Sequence, residues 1–76
     1  MNQAFPKFSE VMNDAGLLRE YVALRYGQVL LFGGTYETWR RAGQLIKLLA
    51  AMTGLSFDEV LTAIRSDAEV YSEKEN

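Results

Sequence analysis

The 76 residues of this chain suffice for one small domain, and 49% hydrophobic with 24% charged residues is the balance of a folded globule rather than a disordered tract. The absence of cysteine and histidine excludes disulfides, structural zinc of the usual ligand types, thiol chemistry and histidine-based catalytic triads. A formal charge of −2 argues against a surface given over wholly to nucleic acid.

A chain this short buries a smaller fraction of its surface than a larger domain. With disulfides and zinc excluded, its stability must come from helix packing or association, so a homodimer or a complex with a protein partner is expected. No apolar run approaches the ~20 residues that span a bilayer, and the first residues lack the charged and hydrophobic regions of a signal peptide. The expectation is a cytoplasmic protein with no membrane contact, residues 1–76 forming a single domain.

Residues 1–7 contain Pro6 and read as an irregular arm, with Phe5 and Phe8 available to pin it to the core. From Ser9 to Tyr26 the apolar residues Val11, Ala15, Leu18 and Val22 recur at helical spacing, with Leu17, Tyr21 and Leu24 beside them. Ser9 is a suitable N-cap and Gly27 a suitable stop, which predicts a first helix over about 9–26. Gly16 costs about 1 kcal/mol relative to alanine inside a helix, so a start near Asp14 competes with one at Ser9.

Gln28 to Phe32 reads QVLLF between Gly27 and the pair Gly33-Gly34, too short for a helix of its own. It is either a short strand at 28–32 or an extension of the first helix. A lone strand needs a partner and the chain offers no second candidate, so the strand reading implies pairing across a dimer or on another protein's edge.

Thr35 then caps a second helix over 36–53, with Glu37 in the first turn where the helix dipole favours a carboxylate and Gly54 as the stop. Trp39, Ala42, Ile46, Leu49 and Met52 or Thr53 line one side, and Leu45 with Leu48 an adjoining side. Arg40, Arg41, Gln44 and Lys47 form the polar strip. This apolar arc is wider than one packing partner requires. Either this helix sits centrally between the other two, the simpler answer, or one edge of it forms an interface.

The third helix has the best-defined start. Ser56 and Glu59 spell a capping box, and Leu55 with Val60 a hydrophobic staple across it. Phe57, Leu61, Ile64, Ala68 and Tyr71 continue as a helical stripe over 57–71, while Asp58, Thr62, Arg65 and Glu69 face outward. SEKEN, residues 72–76, reads as a frayed polar tail. The expected fold class is all-α: a small three-helix domain (about 9–26, 36–53 and 57–71), with the short strand at 28–32 left open.

Charge is unevenly distributed. Residues 35–53 carry Arg40, Arg41 and Lys47 against Glu37, whereas residues 54–76 carry Arg65 and Lys74 against Asp58, Glu59, Asp67, Glu69, Glu73 and Glu75. The split fits pairing within the chain, pairing between subunits, or two separate binding faces. The carboxylates do not suggest catalysis: Asp58 with Glu59, and Asp67 with Glu69, diverge on a helix instead of sharing a face. Gly33-Gly34-Thr35 precedes a helix as phosphate-binding loops do, but no Lys-Ser or Lys-Thr follows and no third glycine completes a dinucleotide motif. No enzyme activity, cofactor, metal or small-molecule substrate is expected.

Two stretches resemble known DNA-binding units. Leu49 to Ile64, LAAMTGLSFDEVLTAI, resembles the helix-turn-helix of lac-repressor-like regulators, with Ala50, Gly54 and Val60 in the small, turn and locking positions. The resemblance implies a reading helix on which Thr62 and Arg65 would meet bases, with Arg40, Arg41 and Lys47 on phosphates. The acidic start of that helix, Asp58 and Glu59, disfavours DNA as the partner. VLLF, the helix after Thr35 and the run T-G-x-S-x-x-E from Thr53 to Glu59 are also similar to the order of elements in ribbon-helix-helix regulators, which implies a strand paired across a dimer.

Two functions are therefore expected in order. The first is a small non-enzymatic regulatory or adaptor protein, of a size that suits a phage or other mobile element. It would dimerise or bind a protein partner through Val29, Leu31, Phe32, Leu45 and Leu48. The second is a DNA-binding regulator of helix-turn-helix or ribbon-helix-helix type.

Overall fold

The computed structural model describes residues 13–74, which form three α-helices of 18 residues each: α1 Ala15–Phe32, α2 Tyr36–Thr53 and α3 Phe57–Lys74. The all-α, three-helix expectation holds. The arm at 1–7, the cap proposed at Ser9 and the last two residues of the tail lie outside the described residues.

Asp14 is the N-cap of α1; its carboxylate accepts from the Leu17 N–H at 3.0 Å. This is the later of the two starts the sequence offered, and it puts Gly16 in the first turn. Of the two readings left open for 28–32, the helix extension holds and the strand does not: those residues are the last turns of α1, which runs through Gly27 without a break. The physical reason lies on another helix. Gly27 is buried against α3, and a Cβ added to it would lie 2.8 Å from the Ala68 Cβ. A helix-interior glycine costs about 1 kcal/mol, and here that cost is offset by the close approach of two helices. Leu30 then continues the buried stripe of Leu18, Val22 and Ala23. The stop is Gly33, at φ 90°, whose N–H donates to Val29 O at 2.9 Å.

The boundaries of α2 match the expectation. Thr35 caps it, its Oγ1 accepting from the Thr38 N–H at 3.3 Å, and Gly54 ends it in the left-handed region at φ 77°. In α3 the capping box is reciprocal: the Glu59 N–H donates to Ser56 Oγ at 3.1 Å, and the Ser56 N–H donates to Glu59 Oε1 at 3.0 Å. That helix continues through Lys74, three residues past the expected end.

The core joins Leu18, Val22 and Leu30 of α1 to Ala42, Ile46 and Leu49 of α2 and to Val60 and Ile64 of α3. The central helix is α1, not α2 as its wide apolar arc suggested: α1 packs most extensively on α3, next on α2, while α2 and α3 touch least. The last turns of α3 meet α1 around Tyr71. Gly16 and Glu20 border Tyr71 from one side, and Gly27 and Leu31 border it from the other. At this contact the Arg19 guanidinium grips Asp67 with two bonds, Nε at 2.5 Å and Nη2 at 3.0 Å. This side-chain hydrogen bonding is the main cause holding the Arg19 pKa above its ordinary value.

Candidate functional site

Placing α1 on a wheel of 3.6 residues per turn separates two apolar faces. Leu18, Val22, Ala23, Gly27 and Leu30 enter the core. On the opposite side stand Leu17, Tyr21, Leu24, Gln28 and Leu31, with Phe32 at the edge. Leu24 is 44% exposed and Phe32 77%, Leu31 is half-buried, and Leu17 and Tyr21 are half-buried with part of their surface packed against the core. A helix apolar on every side is expected to be covered on every side. Here α2 and α3 cover only part of it.

Across the turn from Phe32, Tyr36 is 79% exposed and Trp39 lies half-open one turn further on. Two shallow grooves flank the outer ridge of α1. Between α1 and α2, Leu24, Tyr26 and Val29 are rimmed by Arg25, Glu37 and Arg41. Between α1 and α3, Leu24, Gly27 and Leu31 face Ala68, Tyr71 and Ser72. Both grooves open to solvent and share Leu24 and Arg25.

The residues expected at a protein interface fare differently. Val29 lines the first groove, Leu31 the second, and Phe32 projects outward. Leu45 and Leu48 are partly buried and packed against the core. Leu24, Tyr36, Met52, Leu55 and Phe57 belong to the exposed apolar surface but were not among those expected. For Leu24 a signal was present: Leu17, Leu24 and Leu31 recur every seven residues. Ending the first helix at Gly27 hid it.

The expected nucleic-acid contacts do not form one patch. Arg40 and Lys47 stand on one exposed strip of α2, while Arg41 turns to the groove beside α1. Both arginines lean on Glu37, at 3.5 Å and 3.7 Å, in exposed pairs worth a few tenths of a kcal/mol each. Thr62 and Arg65 are exposed on α3, but Asp58 and Glu69 lie one turn away and Glu59 and Glu73 are exposed on the same helix. A helix presenting this face repels phosphate. Among the described residues no α2 cation pairs with an α3 carboxylate, so pairing within the chain does not account for the charge split.

Glu59 is used locally. Its carboxylate is held below its ordinary pKa by the Ser56 backbone N–H, and next by the Ser56 hydroxyl. Among the described residues no three acidic side chains are grouped to hold a metal ion, and no helix is long and apolar enough to cross a membrane. Comparison with protein-family models, with curated proteins and with solved structures finds no match to this chain in any of the three.

Proposed function

We propose that this chain is a small non-enzymatic regulatory or adaptor protein of the cytoplasm, which works by binding protein through the outer face of α1 and the aromatic turn that follows it. The observation that carries this reading is the exposure of Phe32 and Tyr36, at 77% and 79%, beside the half-open Leu24. Burying a side chain such as Phe contributes about 1.5–3 kcal/mol, which the isolated fold forgoes here. Aromatic anchors on a rigid helical edge with a charged rim, supplied by Arg25, Glu37 and Arg41, have the composition of a binding surface. The open, shallow grooves and the divergent carboxylates support binding over catalysis.

Affinity capture from the source cell tests this, with the intact chain and a Phe32→Ser/Tyr36→Ser variant as parallel baits. The expected result is a protein held by the first and lost from the second, with unchanged helical circular dichroism. Identical capture by both baits would overturn it.

One observation supports a second reading as a DNA-binding regulator: α2, Gly54 and the capped start of α3 follow one another in the helix, turn, helix order of such units. Its phosphate contacts would come from Arg40, Arg41 and Lys47. Retention on DNA would then weaken steeply with salt, through counterion release. No retention at low salt ends that reading. The ribbon-helix-helix variant lacks its strand, since Val29 to Phe32 are helical.

A further inference from the structure

Leu17, Tyr21, Leu24, Gln28 and Leu31 succeed one another at intervals of four, three, four and three residues. That alternation is the seam of a coiled coil, and it keeps all five on one narrow strip of α1. In heptad terms the three leucines occupy d, Tyr21 and Gln28 occupy a, Glu20 is a g residue and Arg25 an e residue. The strip lies opposite the buried face of α1, with the α2 groove along one flank and the α3 groove along the other.

We propose that the occupant of this ridge is α1 of a second copy of the chain, parallel and in register about a two-fold axis between the two helices. This rests on the protein-binding reading above and names the partner. Charge complementarity selects both occupant and direction. Glu20 and Arg25 are five residues apart, the separation at which a g residue meets the e residue of its partner in a parallel, in-register pair. Both are exposed, neither has an ion-pair partner among the described residues, and they stand on opposite flanks of the seam where they cannot pair with each other. The two-fold axis forms the pair twice. In an antiparallel arrangement g faces g and e faces e, and the match is lost.

Gln28 makes the same selection independently. It is the one amide in an otherwise apolar or phenolic strip, and in a parallel, in-register dimer it lies opposite its own twin. The two amides then donate to and accept from each other, as a lone polar residue at a does when it sets register. An apolar helix from another protein would leave Gln28 buried without a partner. Leucine at every d position is what two-stranded coils take there. The seam covers only fifteen residues, which puts the contact among small interfaces that exchange readily.

Sedimentation equilibrium of the full chain over roughly 5–500 µM, a range suited to small interfaces, is the test. The wild-type mass rises towards twice that of the monomer, whereas Leu24→Glu, at a half-exposed position, stays monomeric with the same circular dichroism. Glu20→Arg weakens association, and the Glu20→Arg/Arg25→Glu double exchange restores it. Because the chain has no cysteine, Gln28→Cys reports direction: mild oxidation links 28 to 28 in a parallel, in-register dimer and fails to do so in an antiparallel one. A monomer at the highest concentration overturns the proposal, as does a Leu24→Glu dimer or a double exchange that does not recover. A monomeric chain that still captures a foreign protein through Phe32 and Tyr36 would end this inference while the protein-binding function stands.

Discussion

The first and third helices have the same length and opposite designs. α3 divides into a buried stripe, Val60, Ile64 and Ala68, and a mostly solvated face of Asp58, Thr62, Glu69 and Glu73, with Phe57 and Val70 left partly exposed. α1 spends one apolar face on the core and keeps a second one outside. A helix that only had to complete this fold would resemble α3. The exposed part of that second face, around Leu24, is surface that the core does not cover, and it carries the association proposed above.

Truncating one aliphatic side chain on each helix puts that contrast to its hardest test. Ile64 is fully buried, and Ile64→Ala should cost about 2–5 kcal/mol in urea unfolding, enough to unfold a domain of this size. Leu24→Ala, measured in dilute solution, should cost less than about 1 kcal/mol because the side chain is already 44% exposed. Similar losses at both positions would mean that the outer face of α1 is structural.

Where the two helices meet, Gly27→Ala should lower stability by about 1–3 kcal/mol in thermal melts, although alanine is the better helix former. The new Cβ would stand 2.8 Å from that of Ala68, and backbone would have to move. A stabilising Gly27→Ala would show that α1 and α3 are not in close contact there. At the start of α3, Ser56→Ala removes a cap and should cost about 1 kcal/mol.

The smallest expected effect is in acid. The folded-state pKa of Glu59 lies below its ordinary value of 4.5, so its contribution is complete above 4.5 and disappears as pH falls through the depressed folded value. Glu59→Gln should therefore flatten part of the acid limb of a stability-against-pH curve and change little at neutral pH. An unchanged acid limb would show that the box does not depend on the ionised carboxylate.

What could be read from the sequence follows the range of the interactions involved. α2 and the start of α3 are bounded by signals within four residues of each helix end, Thr35 with Thr38, Gly54 with Ala50, and Ser56 with Glu59, and these were read correctly. Gly27 was misread because its partner, Ala68, is 41 positions away and one sequence does not reveal the contact. That error spread. Ending the helix at Gly27 leaves a strand open as a reading of 28–32 and separates Leu31 from Leu17 and Leu24, while the wide apolar arc of α2 independently suggests the central position for that helix. Leu31 and Phe32 follow from the apolar run itself and lie at a groove and on the exposed surface, whereas Leu45 and Leu48 are partly buried against the core.

The unbroken passage of α1 through Gly27 also bears on how fast a partner can be engaged. Seven residues of helix fix Leu24 and Leu31 about 10 Å apart along one rigid rod. Had the chain broken there, the two would belong to segments that had to be ordered during each encounter, with an entropic penalty of about 1–2 kcal/mol for every backbone residue immobilised. With the spacing already set, the dimer proposed above would form without waiting for local folding, and lifetime rather than capture would be left to discriminate among partners.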